Sequence, residues 1–160
     1  YLERAAYGFL TLDQLAPGSD LWLLASGTGI GPFVSMLRDP DIWQACQRIV
    51  LIHSVRTRAE LTYREEIAAA TAEHPQIRCD YLPVVTRESA PEALHARIPS
   101  LLEQGLLVTR TGQALDPAHS RVMVCGNPDL LRDTRAWLTA KGFEAGRRGI
   151  PGTMVFEKYW

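Results

Sequence analysis

Two sets of residues in this chain are spaced to act on a phosphorylated ligand. The first is Ser26-Gly27-Thr28-Gly29-Ile30-Gly31-Pro32, set directly behind the apolar run Leu21-Trp22-Leu23-Leu24-Ala25. A glycine turn between a buried strand and a helix lets backbone N–H groups approach a pyrophosphate, and the helix N-terminus adds partial positive charge. Ser26, Gly27, Thr28, Gly29, Gly31 and Pro32 are therefore candidate binding positions. The run is not the GxGxxG dinucleotide fingerprint, because proline stands at position 32 where that pattern needs glycine. Nor is it a Walker A loop, since no Gly-Lys-Ser/Thr follows. A tight turn without a ligand is the alternative reading of the same residues.

The second set is arginine. A dinucleotide site for a free ribose places Asp or Glu about 20 residues after the glycines, whereas a 2′-phosphate wants arginine there. Here the second apolar run ends His53-Ser54-Val55-Arg56, with Arg58 close behind. A solvated loop charge is the competing reading, and only Lys141 and Lys158 among the 17 basic residues are lysines, so arginine is common throughout. Cys125 closes a later apolar run, at the end of a strand where ligands of doubly wound sheets collect; a buried cysteine there is structural by default.

Short apolar runs bounded by turn signals alternate with amphipathic stretches, which predicts an α/β fold: a doubly wound, five-stranded parallel sheet. The expected strands cover 21–25, 48–53, 77–84, 121–125 and 153–157. Helices are expected from Pro32, over 58–72, over 99–104 up to Gly105, and from Asn127-Pro128-Asp129 to Gly142. Upstream, Phe9-Leu10-Thr11-Leu12 alternates like an antiparallel strand and Ala16-Pro17-Gly18 reads as a turn. Residues 1–16 are thus expected to be a separate piece and 17–160 the α/β domain.

Composition narrows the function. The chain has 160 residues, 46% of them apolar and 22% charged, with a net charge of −1, which removes bulk attraction to nucleic acid or anionic membrane. Cys46, Cys79 and Cys125 form no CxxC pair and have no histidine at ligand spacing, so no disulfide framework or metal site is expected. No apolar run is long enough to span a bilayer and no signal pattern is present, giving a cytoplasmic expectation; the sequence does not give the oligomeric state, and a monomer is expected. The chain opens Tyr1-Leu2-Glu3-Arg4 without methionine, and a missing upstream segment is expected.

Several segments, taken in order, are more specific. They are the stretch from Leu21 to Pro32, His53-Ser54-Val55-Arg56 with Glu60-Leu61-Thr62-Tyr63, and Val85-Thr86-Arg87-Glu88. Ala96-Arg97-Ile98-Pro99 with Leu101-Leu102-Glu103-Gln104-Gly105, then Val124-Cys125-Gly126-Asn127-Pro128, and finally Arg147-Arg148 to Pro151-Gly152 before Glu157-Lys158-Tyr159-Trp160, complete them. Together they resemble the NADP-binding domain of bacterial ferredoxin (flavodoxin)-NADP+ reductases that end in Tyr-Trp. The resemblance implies that Arg56, Arg87 and Arg97 clamp the NADP 2′-phosphate, while Ser26, Thr28 and the glycines hold the pyrophosphate and its neighbouring ribose. It places Cys125, Gly126 and Asn127 against nicotinamide, with Cys125 aligning rather than reacting, because hydride transfer needs donor and acceptor held close and in line. It assigns Glu157 to the acid–base and hydrogen-bond set near the flavin, and Tyr159 and Trp160 to covering FAD as a mobile gate.

That family carries an N-terminal barrel with an Arg-x-Tyr-Ser motif for FAD, and no such motif occurs in this chain. Residues 8–12 resemble the barrel's last strand. The resemblance therefore implies the NADP half of a flavoprotein that exchanges a hydride with NADP(H) and passes single electrons to ferredoxin or flavodoxin, with Arg147 and Arg148 available to an acidic carrier. Two rivals stand beside it: an NADH-dependent flavin or oxygenase reductase of the same superfamily, which would lack the three-arginine clamp, and a nucleotide-binding module without catalysis.

Overall fold

The structure, a computed structural model, describes residues 10–159. Its centre is set by the run at 21–25, in which Trp22, Leu23, Leu24 and Ala25 are all fully buried. A strand apolar on successive residues has no solvent face, so both faces must be covered, as in a parallel sheet flanked by helices. Five parallel strands form: β1 (Asp20–Ser26), β2 (Arg48–Val55), β3 (Arg78–Val85), β4 (Ser120–Gly126) and β5 (Met154–Lys158), in the order β3-β2-β1-β4-β5. The helices are α1 (Ile30–Leu37), α2 (Ile42–Ala45), α3 (Arg64–Glu73), α4 (Ile98–Glu103), α5 (Leu106–Thr111) and α6 (Pro128–Ala140).

Strand alternation divides the core. Leu21, Leu23, Leu51, Met123 and Cys125 pack against Phe33, Val34 and Leu37 of α1 and Ile67 of α3. Trp22, Leu24, Val50, Val122 and Val124 pack on the other face against Leu101 and Leu102 of α4, Leu107 of α5 and Leu138 of α6. β1 pairs with β2 on one side and β4 on the other, with Leu23 opposite both Leu51 and Met123. The chain therefore departs in opposite directions from the ends of β1 and β4, and a crevice opens between them.

Expectation and structure differ in several places. The helix expected over 58–72 is split: Arg58–Glu60 is a single 3-10 turn, Tyr63 takes a left-handed conformation (φ 63°), and α3 starts only at Arg64. The stretch after Gly105, where no element is expected, is α5; Gly105 (φ 67°) breaks the chain between two short helices that both pack on the sheet. β-Branched Val108, Thr109 and Thr111 weaken the helical signal of α5. The strand expected at Phe9-Leu10-Thr11-Leu12 begins outside the described residues, and its described part is not a strand: Leu12–Gln14 is a 3-10 turn. Leu12 and Leu15 both reach the core edge, a spacing of three that suits such a turn.

Two glycines allow the turn after β1 to lie against the end of β4. A Cβ on Gly29 would overlap the Cys125 carbonyl, and one on Gly126 would overlap the Ser26 hydroxyl, whereas Gly31 in α1 faces open space. Gly29→Ala is expected to cost about 1–3 kcal/mol, because the overlapped atoms are backbone and cannot rotate away. Gly31→Ala should be neutral or stabilising by up to about 1 kcal/mol, since it removes backbone freedom from a helical site. Chemical denaturation of the two variants beside the parent chain checks the contrast; equal effects would contradict the close approach.

Candidate functional site

A cleft of about 600 Å³ opens over the carboxyl ends of the strands. Its walls come from five places in the sequence: Ser26, Gly27 and Thr28 after β1, Ser54 to Arg56 and Glu60 after β2, Thr86 and Arg87 after β3, Arg97 to Pro99 entering α4, and Asn127, Asp129 and Leu130 entering α6.

Backbone pairing brings the arginines together. The β2–β3 ladder continues past its last side-by-side pair, with the Thr86 N–H donating to the Val55 carbonyl (3.0 Å) and the Arg87 N–H to that of Arg56 (2.9 Å). Arg56 and Arg87 therefore leave adjacent strand ends. The loop that follows is pinned back onto the β3 edge: Leu94 N–H donates to Pro83 O (2.9 Å), Val85 N–H to Leu94 O (2.9 Å), and His95 Nδ1 contacts Val85 O at 2.9 Å. That return delivers Arg97 to the N-terminus of α4, where its guanidinium pairs with Asp133 of α6 at 3.3 Å.

Glu60 organises the arginine loop. Its carboxylate accepts the N–H groups of Arg56 (2.8 Å) and Thr57 (3.0 Å) and completes a capping box on the 3-10 turn. The Thr57 N–H, then that of Arg56, holds the carboxyl below its ordinary pKa against slight desolvation, and the charges of Arg56 and Arg87 add to this. Arg58 goes elsewhere: its N–H donates to Glu88 and its guanidinium pairs with Glu92 at 2.6 Å, away from the cleft lining.

On the opposite wall, the Ser26 hydroxyl oxygen accepts from Asn127 N–H (3.1 Å) and Asn127 Nδ2 (3.2 Å), while Asn127 Oδ1 caps α6 by accepting from Leu130 N–H (2.8 Å). Both donors use Ser26 lone pairs, so its O–H proton is what Ser26 offers a ligand. Gly29 and Gly126 shape this wall without lining the cleft, and Gly31 and Pro32 belong to the first turn of α1.

The remaining expected site residues form a separate shelf across β4 and β5. Cys125 lies in register between Ala25 and Glu157. It is fully buried, and burial, reinforced by Glu157, pushes its thiol up to about 12. A thiol so held is uncharged at neutral pH and is no nucleophile. The Glu157 carboxylate accepts the Leu10 N–H at 3.1 Å. Tyr159 is 49% exposed, and its N–H donates to the Gly126 carbonyl at 3.3 Å. Trp160 lies outside the described residues. Among the described residues no group of three His, Cys, Asp or Glu side chains is placed to hold a metal ion.

Sequence reasoning did not single out Ser54, Glu60, Thr86, Asp129 or the buried His53. For Ser54 and Thr86 a signal existed: each is a small polar residue at the end of an apolar strand, one or two positions before an arginine.

The family model for the oxidoreductase NAD-binding domain matches residues 23–136. The chain belongs to that family. Within it, the chain is similar to bacterial ferredoxin/flavodoxin-NADP+ reductases. It is 42% identical over 164 residues to ferredoxin–NADP reductase A of Sorangium cellulosum, covering 97% of this chain and 58% of that protein. It is 34% identical over 165 residues to ferredoxin–NADP reductase of Pseudomonas aeruginosa, covering 98% of this chain and 63% of that protein. A crystal structure of a ferredoxin NADP+ reductase from Neisseria gonorrhoeae with bound FAD and NADP superposes with a TM-score of 0.88 at 35% identity, covering 98% of this chain and 62% of that one. The chain thus spans about three fifths of the length of these relatives.

Two outcomes follow for the domain. Iodoacetamide at about pH 8 should label the partly exposed Cys79 at least about tenfold faster than buried Cys125, because alkylation needs an accessible thiolate; peptide mass spectrometry of the native domain reads this. The Glu60 clamp should open in acid. A depressed folded pKa means its contribution is complete above the ordinary 4.5 and is lost as pH falls through the lower folded value. Amide shifts of Arg56 and Thr57 should therefore hold steady down to that range and move together below it.

Proposed function

We propose that the cleft binds NADP(H) and that the chain is the NADP half of an FAD-dependent ferredoxin/flavodoxin-NADP+ reductase. The observation that carries this reading is the convergence of Arg56, Arg87 and Arg97, from three separate segments, on one cleft that also holds the glycine turn. Guanidinium forks suit a dianionic phosphate, and the turn with the Ser26 O–H suits the diphosphate. The donor set and the size of the cleft fit the nucleotide. NADP and FAD are the groups bound in the related Neisseria structure.

Bound, the nucleotide and flavin supply hydride chemistry and the two-to-one electron step. The chain's own residues position and shield. Arg56, Arg87 and Arg97 hold the 2′-phosphate; Ser26, Gly27, Thr28 and Asn127 hold the diphosphate end. Gly29, Gly31, Pro32 and Gly126 fix the backbone around them. Cys125 presents an uncharged, buried wall beside the reacting end, which excludes water without offering a competing nucleophile. Glu157 keeps a carboxylate beside that wall. Tyr159, half exposed at the end of β5, acts with Trp160 as a cover that yields to the incoming ring. Residues 1–16 are read as the end of an FAD-binding barrel; of these, the Leu10 N–H reaches Glu157 and so ties that piece to the reacting end. Ferredoxin or flavodoxin is the proposed electron carrier, without nucleic acid or membrane as partner, and no helix among the described residues is long and apolar enough to cross a membrane. A cytoplasmic location is the reading that fits three free cysteines.

Glu60 favours the NADH-dependent rival, because an acid in the cleft could accept from a ribose 2′-hydroxyl. Its engagement by two backbone N–H groups beside two arginines argues for the phosphate instead. Calorimetry separates the two. NADP+ should bind at least about 100-fold more tightly than NAD+, and Arg87→Ala should cut that preference about tenfold or more, the loss expected for a charge-assisted bond of about 1.5–3 kcal/mol. Equal affinities for the two nucleotides would overturn the reading.

A further inference from the structure

One buried titratable group lies directly beneath the cleft. His53, fully buried on β2, stands between Ala25 of β1 and Pro83 of β3. Its Nε2 is 3.0 Å from the Gly27 carbonyl oxygen, and its Nδ1 is 3.4 Å from the Tyr81 hydroxyl. A carbonyl only accepts, so Nε2 must carry the proton. In a neutral ring Nδ1 then accepts, and the Tyr81 O–H donates to it. Burial keeps the ring neutral, holding His53 below its ordinary pKa although the Gly27 bond opposes this, and burial pushes the Tyr81 hydroxyl up to about 12. The three groups form one chain of fixed polarity: Tyr81 O–H to His53, and His53 N–H to Gly27.

No peptide bond among the described residues is cis, and in a planar trans peptide the C=O and the next N–H point in opposite directions. With the Gly27 carbonyl drawn down onto a buried ring, the Thr28 N–H points up and away from the interior, toward the cleft that Gly27 and Thr28 line. Gly27 sits at φ 53°, and glycine has little resistance of its own to rotating that peptide. Something must select the orientation in which the N–H, rather than the negative end of the carbonyl, faces an anion.

We propose that His53, held in its Nε2–H form by Tyr81, is the positioning residue of the turn, fixing the Gly27–Thr28 peptide so that its N–H meets the diphosphate of a dinucleotide. The proposal rests on the NADP(H) reading and adds to it a group beneath the sheet surface that the ligand does not touch.

The test uses the 160-residue chain and two probes: NADP+, which carries the diphosphate, and adenosine 2′-monophosphate, which carries only the group assigned to the arginines. His53→Leu keeps an apolar filler and removes the donor; His53→Gln returns an N–H donor at a similar reach. By calorimetry, His53→Leu should bind NADP+ about tenfold more weakly and adenosine 2′-monophosphate unchanged, and His53→Gln should recover most of the loss. Equal losses on both probes, no loss on NADP+, or a Gln variant as weak as Leu would each overturn the proposal. Tyr81→Phe gives an independent arm in case His53→Leu does not fold: it should weaken NADP+ alone, by a few-fold, while the His53 ring nitrogens in a 15N spectrum shift from the Nε2–H tautomer toward a mixture. An unchanged tautomer with unchanged NADP+ binding would refute it. If the parent chain binds NADP+ no more tightly than adenosine 2′-monophosphate, the diphosphate site itself fails, which is distinguishable from failure of His53 to position it.

Discussion

The site depends on the close backbone approach between the turn after β1 and the end of β4. Gly29 lies against the Cys125 carbonyl, and Gly126 lies against the Ser26 hydroxyl, with no room for a side chain at either position. That contact sets the distance between the two strand ends where the chain diverges. From it follow the Ser26–Asn127 hydrogen bonds, the cap of α6, and the placement of α6 with its Asp133 within reach of Arg97. The opposite end of the same strand pair is fixed independently: buried Asp20 accepts from Trp22 Nε1 (2.7 Å) and the Ser120 hydroxyl (2.6 Å), so the β1–β4 register is held at both ends. A strand pair pinned in this way cannot slip by one residue without moving Cys125 to the other face of the sheet.

The arginine side of the cleft is built on a different principle. The chain as a whole is nearly neutral, yet several guanidinium groups converge on one volume. Their repulsion is offset by acids placed behind them, Glu60 between Arg56 and Arg87 and Asp133 at Arg97. Glu60 also ties down the backbone from which Arg56 springs, so it acts more as a strut than as a neutralising charge. Such counter-ions reduce the raw attraction for an anion. In exchange Glu60 fixes the backbone that carries Arg56, and Asp133 holds the Arg97 fork, before any ligand arrives, which lowers the ordering cost of binding an anion.

The sheet and the glycine turn were legible because their physics is local. A short apolar run on successive residues bounded by turn signals fits a strand covered on both faces, and Gly27 and Gly29 between such a run and a helix fit a tight turn. The arginines were less legible. Arg56 and Arg58 stand two residues apart in the same loop, yet one lines the cleft and the other pairs with Glu92. The difference is made by the extension of the β2–β3 ladder and by acids some thirty residues away, neither of which a local pattern encodes. The short helix α5 and the break at Tyr63 were hidden for a similar reason: tertiary packing on the sheet overrides weak propensity. Residues 12–14 show the converse error, since Leu12 and Leu15 at a spacing of three fit a 3-10 turn on the core edge.

His53 was the hardest to read, and the reason is general. A histidine inside the run Ile49 to Ser54 has the sequence signature of a core residue, and its burial agrees. What separates it from a packed hydrophobe is the pair of polar atoms at its two ends, contributed by Gly27 from the turn after β1 and by Tyr81 from β3. A buried imidazole has to satisfy two nitrogens of opposite character, so its two partners must also be of opposite character, one acceptor and one donor. Here the acceptor is the carbonyl of the turn itself. On the proposed reading, the requirement to satisfy a buried ring and the requirement to orient an anion-binding peptide are met by the same hydrogen bond, which couples the packing of the sheet to the polarity of the cleft above it.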